Sequence, residues 1–151
     1  MEEILRSGFA GLGLELDGEA LRRFRRYYEY LTERNRVMNL TSIEGEEDTA
    51  RLHFLDCCAL LTAADFAGKR VIDVGSGAGF PGIPLAILFP EARFTLVDSI
   101  GKKIRVVDEV IRATGLNNVR TVHGRAEQVG GRFDFVVSRA VTEMKTCIGW
   151  V

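Results

Sequence analysis

Residues 73–82 read Asp-Val-Gly-Ser-Gly-Ala-Gly-Phe-Pro-Gly, and this stretch decides the fold. It follows Arg-Val-Ile-Asp-Val at 70–74, which has the composition of a buried parallel strand, and it precedes Ile-Pro-Leu-Ala-Ile-Leu at 83–88, which opens an apolar helix. Glycine permits positive φ and lets a ligand approach the backbone where a Cβ would collide. The helix start offers unpaired N–H groups and the positive end of a dipole. The sequence therefore predicts a cofactor-binding strand, loop and helix.

The glycine spacing separates two classes of cofactor loop. In the dinucleotide pattern G-x-G-x-x-G, a count from Gly75 places the third glycine at position 80, where this chain has Phe80. The chain has instead the form acid-x-Gly-x-Gly-x-Gly, which begins at Asp73. This form resembles motif I of the class I S-adenosylmethionine (SAM)-dependent methyltransferases. A nicotinamide oxidoreductase is accordingly disfavoured.

A second acid supports a nucleoside ligand. Phe94 to Val97 has the pattern of the next strand, and it ends in Asp98, nineteen positions past Gly79. A carboxylate at this place accepts hydrogen bonds from both ribose hydroxyls, a task that NAD and SAM sites share. Asp98 alone is equally consistent with a strand-end or helix-capping role.

The order of elements after residue 70 predicts a parallel sheet. Strand-like runs at 70–74, 94–97, 119–122 and 133–137 alternate with helical runs at 81–88, 100–114 and 125–129. Such βαβ order with right-handed crossovers produces a parallel sheet covered on both faces. After the fourth strand the sequence suggests only one short helix. Because an apolar strand at a sheet edge is an aggregation hazard, we expect further C-terminal strands that this sequence lacks.

The first third of the chain has helical periodicity. Leu21, Phe24, Tyr28 and Leu31 are spaced to share one helix face, with Asp17 as the N-cap. Six arginines occupy much of the remaining surface, as either a solvated face or a phosphate-contacting one. They are Arg22, Arg23, Arg25, Arg26, Arg34 and Arg36. A further helix is predicted over 46–64, where His53 and Asp56 could share a face.

The bulk composition restricts the class of protein. At 151 residues and 46% hydrophobic content, the chain fits one domain, with a helical extension at 1–67 and a cofactor-binding core at 68–151. A net charge of -1 excludes coating of nucleic acid by global charge but permits a local basic patch. We see neither a signal peptide nor an apolar run of about 20 residues, so we expect a cytoplasmic protein that does not enter membranes. Cys57, Cys58 and Cys147 lack metal-ligand spacing and are predicted to be core thiols.

Seven short strings outside and around the glycine loop narrow the family. In order, they are Asn39 to Ser42, His53 to Asp56, Gly75 to Pro84, Leu96 to Ser99, Gly101 to Lys103, Arg125 to Glu127 and Val137 to Ala140. Together they resemble the bacterial small-subunit (16S) ribosomal RNA guanine-N7 methyltransferases, the RsmG or glucose-inhibited division protein B family. The resemblance covers the chain from about Tyr30 to Val141, and Cys57 stands where the family pattern carries serine.

This resemblance implies a class I, Rossmann-like fold with SAM as cofactor and 16S rRNA or the small ribosomal subunit as partner. The cofactor-binding residues it implies are Asp73, Gly75, Gly77, Gly79, Phe80, Asp98, Ala126, Glu127 and Arg139. The glycines would approach the methionine part, Asp98 the ribose, and Ala126 with Glu127 the adenine, while Arg139 would position the substrate at the mouth. The predicted RNA contacts are the six helix arginines with Lys102, Lys103 and Arg105. We expect a monomer and no metal.

The implied chemistry suits a site without a general base. Guanine N7 carries a lone pair and no proton, so holding it about 3 Å from the sulfonium methyl supplies most of the acceleration. A-form RNA hides that edge, and the target guanine is therefore expected in a loop or splayed out. Two alternatives remain open: a SAM-dependent methyltransferase of a protein or small molecule, and a SAM-binding or RNA-binding module without turnover.

Overall fold

The computed structural model describes residues 2–11, 16–38, 66–75, 79, 82–138 and 143–146. Among these residues, the helices are α1 (Glu2–Gly11), α2 (Gly18–Met38), α3 (Gly82–Leu88) and α4 (Gly101–Thr114), and Ala126–Gln128 form a 3₁₀ turn. The strands are β1 (Arg70–Val74), β2 (Arg93–Asp98), β3 (Val119–His123), β4 (Phe135–Ser138) and β5 (Glu143–Thr146). Within the described residues, no helix is long and apolar enough to cross a membrane.

The strands form one sheet in the order β3-β2-β1-β4-β5, and the first four are parallel. The chain passes from β1 through α3 to β2 and from β2 through α4 to β3, which confirms the predicted βαβ order. This order places β1 in the middle, between β2 and β4. The carboxyl ends of β1, β2 and β3 therefore meet at one edge, where an open α/β sheet binds its ligand.

The structure corrects several expectations about the C-terminal part of the chain. Residues 143–146 form β5, which pairs antiparallel with β4, where only a short helix was expected. The sheet is therefore mixed, and β4 is covered along its outer side. The predicted strand at 133–137 begins only at Phe135, where the pairing with Val71 of β1 starts, and Phe133 packs into the core cluster with Ile72 and Val97. The predicted helix at 125–129 is the 3₁₀ turn alone.

The two faces of the sheet contribute to two different hydrophobic core clusters. Val71, Phe94 and Leu96 point to one face and pack into a large core that the helices α1 to α4 complete. Ile72 and Val97, one residue out of phase with these, point to the other face and form a smaller cluster with Val129 and Phe133. Since successive residues of a strand alternate between faces, both patterns come from the same strands.

The helix α2 begins as predicted, but its buried face is rotated. The Asp17 carboxylate accepts a hydrogen bond from the Ala20 N–H at 2.7 Å, which confirms the N-cap. Leu21, Phe24 and Leu31 are buried as expected. Tyr28 is only partly buried, and Tyr27 occupies the core instead. The buried face of α2 includes Tyr27 because α2 packs on both α3 and α4.

Arg23 and Arg34 of the predicted arginine set bind α4. Arg23 donates to the Thr114 carbonyl at 3.2 Å, and Arg34 forms an ion pair with Glu109 at 2.6 Å. Arg34 also donates to the Tyr30 hydroxyl at 2.9 Å. Both side chains thus join α2 to α4, and neither is wholly free to bind an RNA phosphate.

Several predicted features lie outside the described residues. They are the helix at 46–64 with His53 and Asp56, the turn from Asn39 to Ser42, and all three cysteines, Cys57, Cys58 and Cys147.

Candidate cofactor site

Backbone hydrogen bonds bring three loops together at the carboxyl edge of the sheet. The Gly75 N–H, at the end of β1, donates to the Val97 carbonyl of β2 at 2.8 Å. The Gly124 N–H, just after β3, donates to the Asp98 carbonyl at 3.0 Å. The glycine loop, the end of β2 and the loop after β3 therefore meet at the edge where open α/β sheets have their ligand crevice.

Two described glycines of the loop have the positive φ that glycine permits at such a turn. Gly75 has φ +72° and Gly79 has φ +100°, values that L side chains rarely adopt. A Cβ on Gly79 would lie 2.6 Å from Ile83 Cγ1 and 2.9 Å from the Tyr27 hydroxyl. Gly79 is therefore required by close packing as well as by its backbone angle. Tyr27 brings the N-terminal helix α2 directly against the loop, a contact that sequence periodicity did not indicate.

The Asp73 carboxylate anchors the glycine loop through a buried hydrogen bond. Its Oδ2 accepts a hydrogen bond from the Gly82 N–H at 2.9 Å, and the next N–H, of Ile83, donates to the Gly79 carbonyl at 2.7 Å. The first two N–H groups of α3 are thus used inside the protein, contrary to the expectation that the helix start has unpartnered donors. Asp73 is fully buried, and its Oδ1 has no hydrogen-bond partner among the described residues.

Burial raises the pKa of the Asp73 carboxyl well above its ordinary value of 3.8, the Gly82 N–H opposes this shift, and the charge of Asp98 adds to it. The folded state therefore holds a proton that the unfolded chain releases, so this group makes the protein less stable as pH rises from 3.8 toward the folded pKa. Asp73→Asn should remove that loss while keeping an oxygen for Gly82.

We expect the free energy of unfolding of Asp73→Asn, minus that of the parent, to increase with pH and then level off. Urea denaturation of both proteins between about pH 4 and about pH 8 measures it. A constant difference across that range would contradict the raised pKa.

Asp98 lies at the end of β2 and is 7% exposed. Its Oδ1 accepts a hydrogen bond from the Ile100 N–H at 2.9 Å, which turns the chain from β2 into α4. Ile100, the next residue but one, is 47% exposed and stands out as a large exposed hydrophobic side chain in the described part of the chain. Sequence reasoning overlooked Ile100. The available signal was a large aliphatic residue between a strand-end acid and a glycine-initiated helix.

The loop after β3 closes the other side of the crevice. His123 Nε2 lies 3.1 Å from the Ser99 carbonyl oxygen, and the His123 ring packs against Gly101, where a Cβ would lie 3.2 Å from it. The 3₁₀ turn that follows carries Ala126 and the exposed Glu127. Both predicted adenine neighbours are therefore placed on the same side as Asp98.

Other predicted site residues differ in how far the structure describes them. Gly77, Phe80 and Arg139 lie outside the described residues, and the side chains of Arg36 and Ala126 are likewise not described. Arg22 is exposed and paired with Glu19, Arg26 is exposed, and Arg25 has interactions within the protein. Lys102 and Arg105 are exposed and Lys103 is half-buried at the start of α4, beside Asp98. Among the described residues, no group of three metal-binding side chains is close enough to hold an ion.

With this geometry in hand, comparison with known proteins assigns the family. The profile of the family described as "GidB: rRNA small subunit methyltransferase G" matches residues 20–151. The chain belongs to this family. It is 47% identical over 137 residues to the ribosomal RNA small subunit methyltransferase G of Cytophaga hutchinsonii, covering 90% of this chain and 66% of that protein. The relative of the same name from Carboxydothermus hydrogenoformans is 38% identical, and the alignment covers 98% of this chain and 66% of the relative.

The chain thus spans 66% of the length of each of these two relatives of the GidB family, just under two thirds. Solved structures agree on the fold. A chain from Plasmodium falciparum, described as a protein-L-isoaspartate O-methyltransferase with S-adenosyl-L-homocysteine bound, matches with a TM-score of 0.53 and 19% identity over 91% of this chain and 72% of its own. A SAM-dependent methyltransferase from Aquifex aeolicus matches at 0.51 with 24% identity, over 60% of this chain and 51% of its own. The class I methyltransferase fold expected from the glycine spacing is confirmed.

Proposed function

We propose that this GidB-family protein transfers a methyl group from SAM to N7 of a guanine in 16S ribosomal RNA. The observation that carries the proposal is that the glycine loop, which begins at Gly75 with positive φ, and Asp98 follow the paired carboxyl ends of the adjacent strands β1 and β2. Its position agrees with the ligand crevice of open α/β sheets. The family match and the names of the relatives supply the reaction class.

The cofactor is held by residues of different chemistry. Asp98 binds the ribose hydroxyls through its carboxylate, and the exposed Ile100 side chain packs against the adenine. Glu127, with the backbone around Ala126, lines the far side of the adenine. The glycine loop lies against the methionine part, where backbone atoms do the binding. SAM supplies an electrophilic methyl group on a sulfonium, and Arg139, after β4, orients the nucleic acid at the mouth.

The RNA contacts begin beside the cofactor. Lys102, Lys103 and Arg105 concentrate positive charge in the first turns of α4, where helices favour acidic side chains, and α4 has no acid in its first turn. Such a placement is unfavourable for the helix alone and favourable for a polyanion. Arg26 adds an exposed cation on α2, while Arg23 and Arg34 serve the α2–α4 contact.

No residue of the site needs to remove a proton, because guanine N7 has none. The protein contributes position: the crevice holds the sulfonium methyl and N7 in line, and an encounter of two bodies becomes one oriented step. The same argument predicts that no base among Asp98, His123 and Glu127 limits the rate. His123 is turned toward the Ser99 carbonyl, which fits a role in shaping the loop.

The test is transfer of labelled methyl from SAM to purified small-subunit rRNA and to assembled small subunits, with the modified base mapped by chemical cleavage at N7-methylguanine. We expect incorporation at one guanine. Label appearing on protein or on a small molecule would overturn the substrate assignment. Tight SAM binding with no transfer to either RNA substrate would instead identify a binding module.

A further inference from the structure

Three arginines lie side by side at the amino ends of the strands, on the edge opposite the cofactor crevice. Arg70 and Arg93 are Cα partners in the β1–β2 pairing, and Arg120 is the partner of Thr95 in the β2–β3 pairing. Partners across a sheet share a face, and Thr95 is two residues from Arg93, so the three arginines project from the same face. All three are exposed. We call Arg70, Arg93 and Arg120 the arginine row.

A cleft of about 920 Å³ adjoins the row. Asn117, Asn118 and Thr95 contribute polar groups to its lining, and Glu91 is the one carboxylate among the described residues that line it. The Asn118 amide is already occupied, since it donates to the carbonyls of α3 and the segment that follows it. The three guanidinium groups are therefore the positively charged donors that line the cleft.

The like charges of the arginine row destabilise the fold unless an anion binds them. Like charges directly opposite each other on neighbouring strands destabilise a sheet, and Arg70 faces Arg93 in this way. Within the described ranges, no carboxylate forms an ion pair with any of the three guanidinium groups. The Asp134 carboxylate, close in the fold, accepts the backbone N–H of Arg70 at 2.9 Å.

Two members of the row are held in position. The Arg70 guanidinium lies over the Phe133 ring at 5.3 Å and against Gly131, where a Cβ would approach its Nη2 to 3.2 Å. Arg120 donates to the Thr95 hydroxyl at 2.9 Å. Arg93, between them in the strand order, makes no such contact within the described residues. Pre-positioned guanidinium forks are suited to phosphate oxygens, which they bind through paired N–H donors.

We propose that the arginine row binds phosphate groups of an RNA strand, as a contact separate from the crevice where methyl transfer occurs. The identity of the RNA rests on the proposed function. Arg93 and Asp98 are the two ends of β2, so the row lies about 17 Å from the crevice at about 3.3 Å per residue. One nucleotide cannot contact both places, and the row therefore holds RNA that flanks the target guanine. Several adjacent guanidinium groups on an open face suit a polyanion better than a single small anion.

The experiment compares two double variants of equal charge in binding a small-subunit rRNA transcript across a salt series. Arg70→Gln with Arg93→Gln removes two members of the row. Arg6→Gln with Arg112→Gln removes two exposed arginines of α1 and α4 outside it. Each phosphate contact contributes about -0.7 to -0.9 to the slope of log affinity against log salt. We expect the row variant to have a slope less negative by about 1.4 to 1.8, and the control to keep the parent slope.

Calorimetric affinity for S-adenosylhomocysteine is measured on the same proteins and should equal that of the parent in both. Equal slopes for the row variant and the control would overturn the proposal. If the row variant has a less negative salt slope but the parent neither binds the cofactor nor transfers methyl, the arginine row is supported and the proposed function is contradicted. If the double variant melts early, Arg93→Gln alone, whose side chain has no described partner, should still change the slope by about 0.7 to 0.9.

Discussion

Gly79→Ala is expected to abolish cofactor binding and to lower the free energy of unfolding by several kcal/mol. The new Cβ would lie 2.6 Å from Ile83 Cγ1 and 2.9 Å from the Tyr27 hydroxyl, so these buried side chains must move. Overpacking of this kind costs about 1–3 kcal/mol. The backbone at φ +100° adds strain of about 1–3 kcal/mol for a residue with a side chain. Thermal melting measures the loss of stability, and calorimetry with SAM measures the binding.

Gly68→Ala is the matched control for this variant. Gly68 has φ +72°, but nothing lies within 4 Å of its Cβ position, and it precedes β1 at the amino edge of the sheet. Gly68→Ala should lose only the stability that the backbone strain at positive φ removes, and it should bind SAM like the parent. If both variants lose the same stability and bind SAM equally well, then close packing of the glycine loop has no role in forming the crevice.

Asp98→Ala should weaken SAM binding roughly 10- to 150-fold, since hydrogen bonds to a charged group contribute about 1.5–3 kcal/mol. Asp98 is 7% exposed, and the hydrogen bond from the Ile100 N–H fixes the orientation of its carboxylate at the turn. Calorimetric titration with SAM and with S-adenosylhomocysteine measures the effect. Both ligands carry the same ribose, so both should weaken equally.

Asp134→Ala is the matched control for Asp98→Ala. It distinguishes the loss of a ribose contact from the loss of a hydrogen bond between a carboxylate and the backbone. The Asp134 carboxylate also accepts a backbone N–H at 2.9 Å, from Arg70, but at the opposite edge of the sheet. Its removal should cost a similar amount of stability and leave SAM affinity unchanged. Equal weakening of SAM binding in the two variants would show that Asp98 acts only through the fold.

Local sequence pattern was sufficient for the framework of this protein. The strand at 70–74 and the start of α4 agree closely with the structure, because a short apolar run and the spacing of glycines act over a few positions. The Asp17 cap was readable for the same reason. The positive φ of Gly75 and Gly79 could be predicted because a tight turn after a buried strand admits little else.

Contacts between distant segments could not be read in the same way. Tyr27 replaces Tyr28 in the core because α2 meets both α3 and α4, and one helix face cannot reveal which neighbour it will have. Arg34 looks like any solvated arginine until Glu109, 75 positions later, is brought within 2.6 Å. The strand β5 likewise depends on pairing with β4, which a short segment of ordinary composition does not announce.

The sequence by itself determined that a glycine loop joins a strand to a helix and that an acid ends the next strand. Only the tertiary structure decided that Asp73 is buried beneath that loop, that Ile100 is exposed beside Asp98, and that three arginines from separate strands form one row. The physical reason is the separation along the chain between the residues that interact. Backbone conformation and capping are set by neighbours in the chain, whereas burial, charge pairing and strand register are set by residues that meet only when the chain has folded.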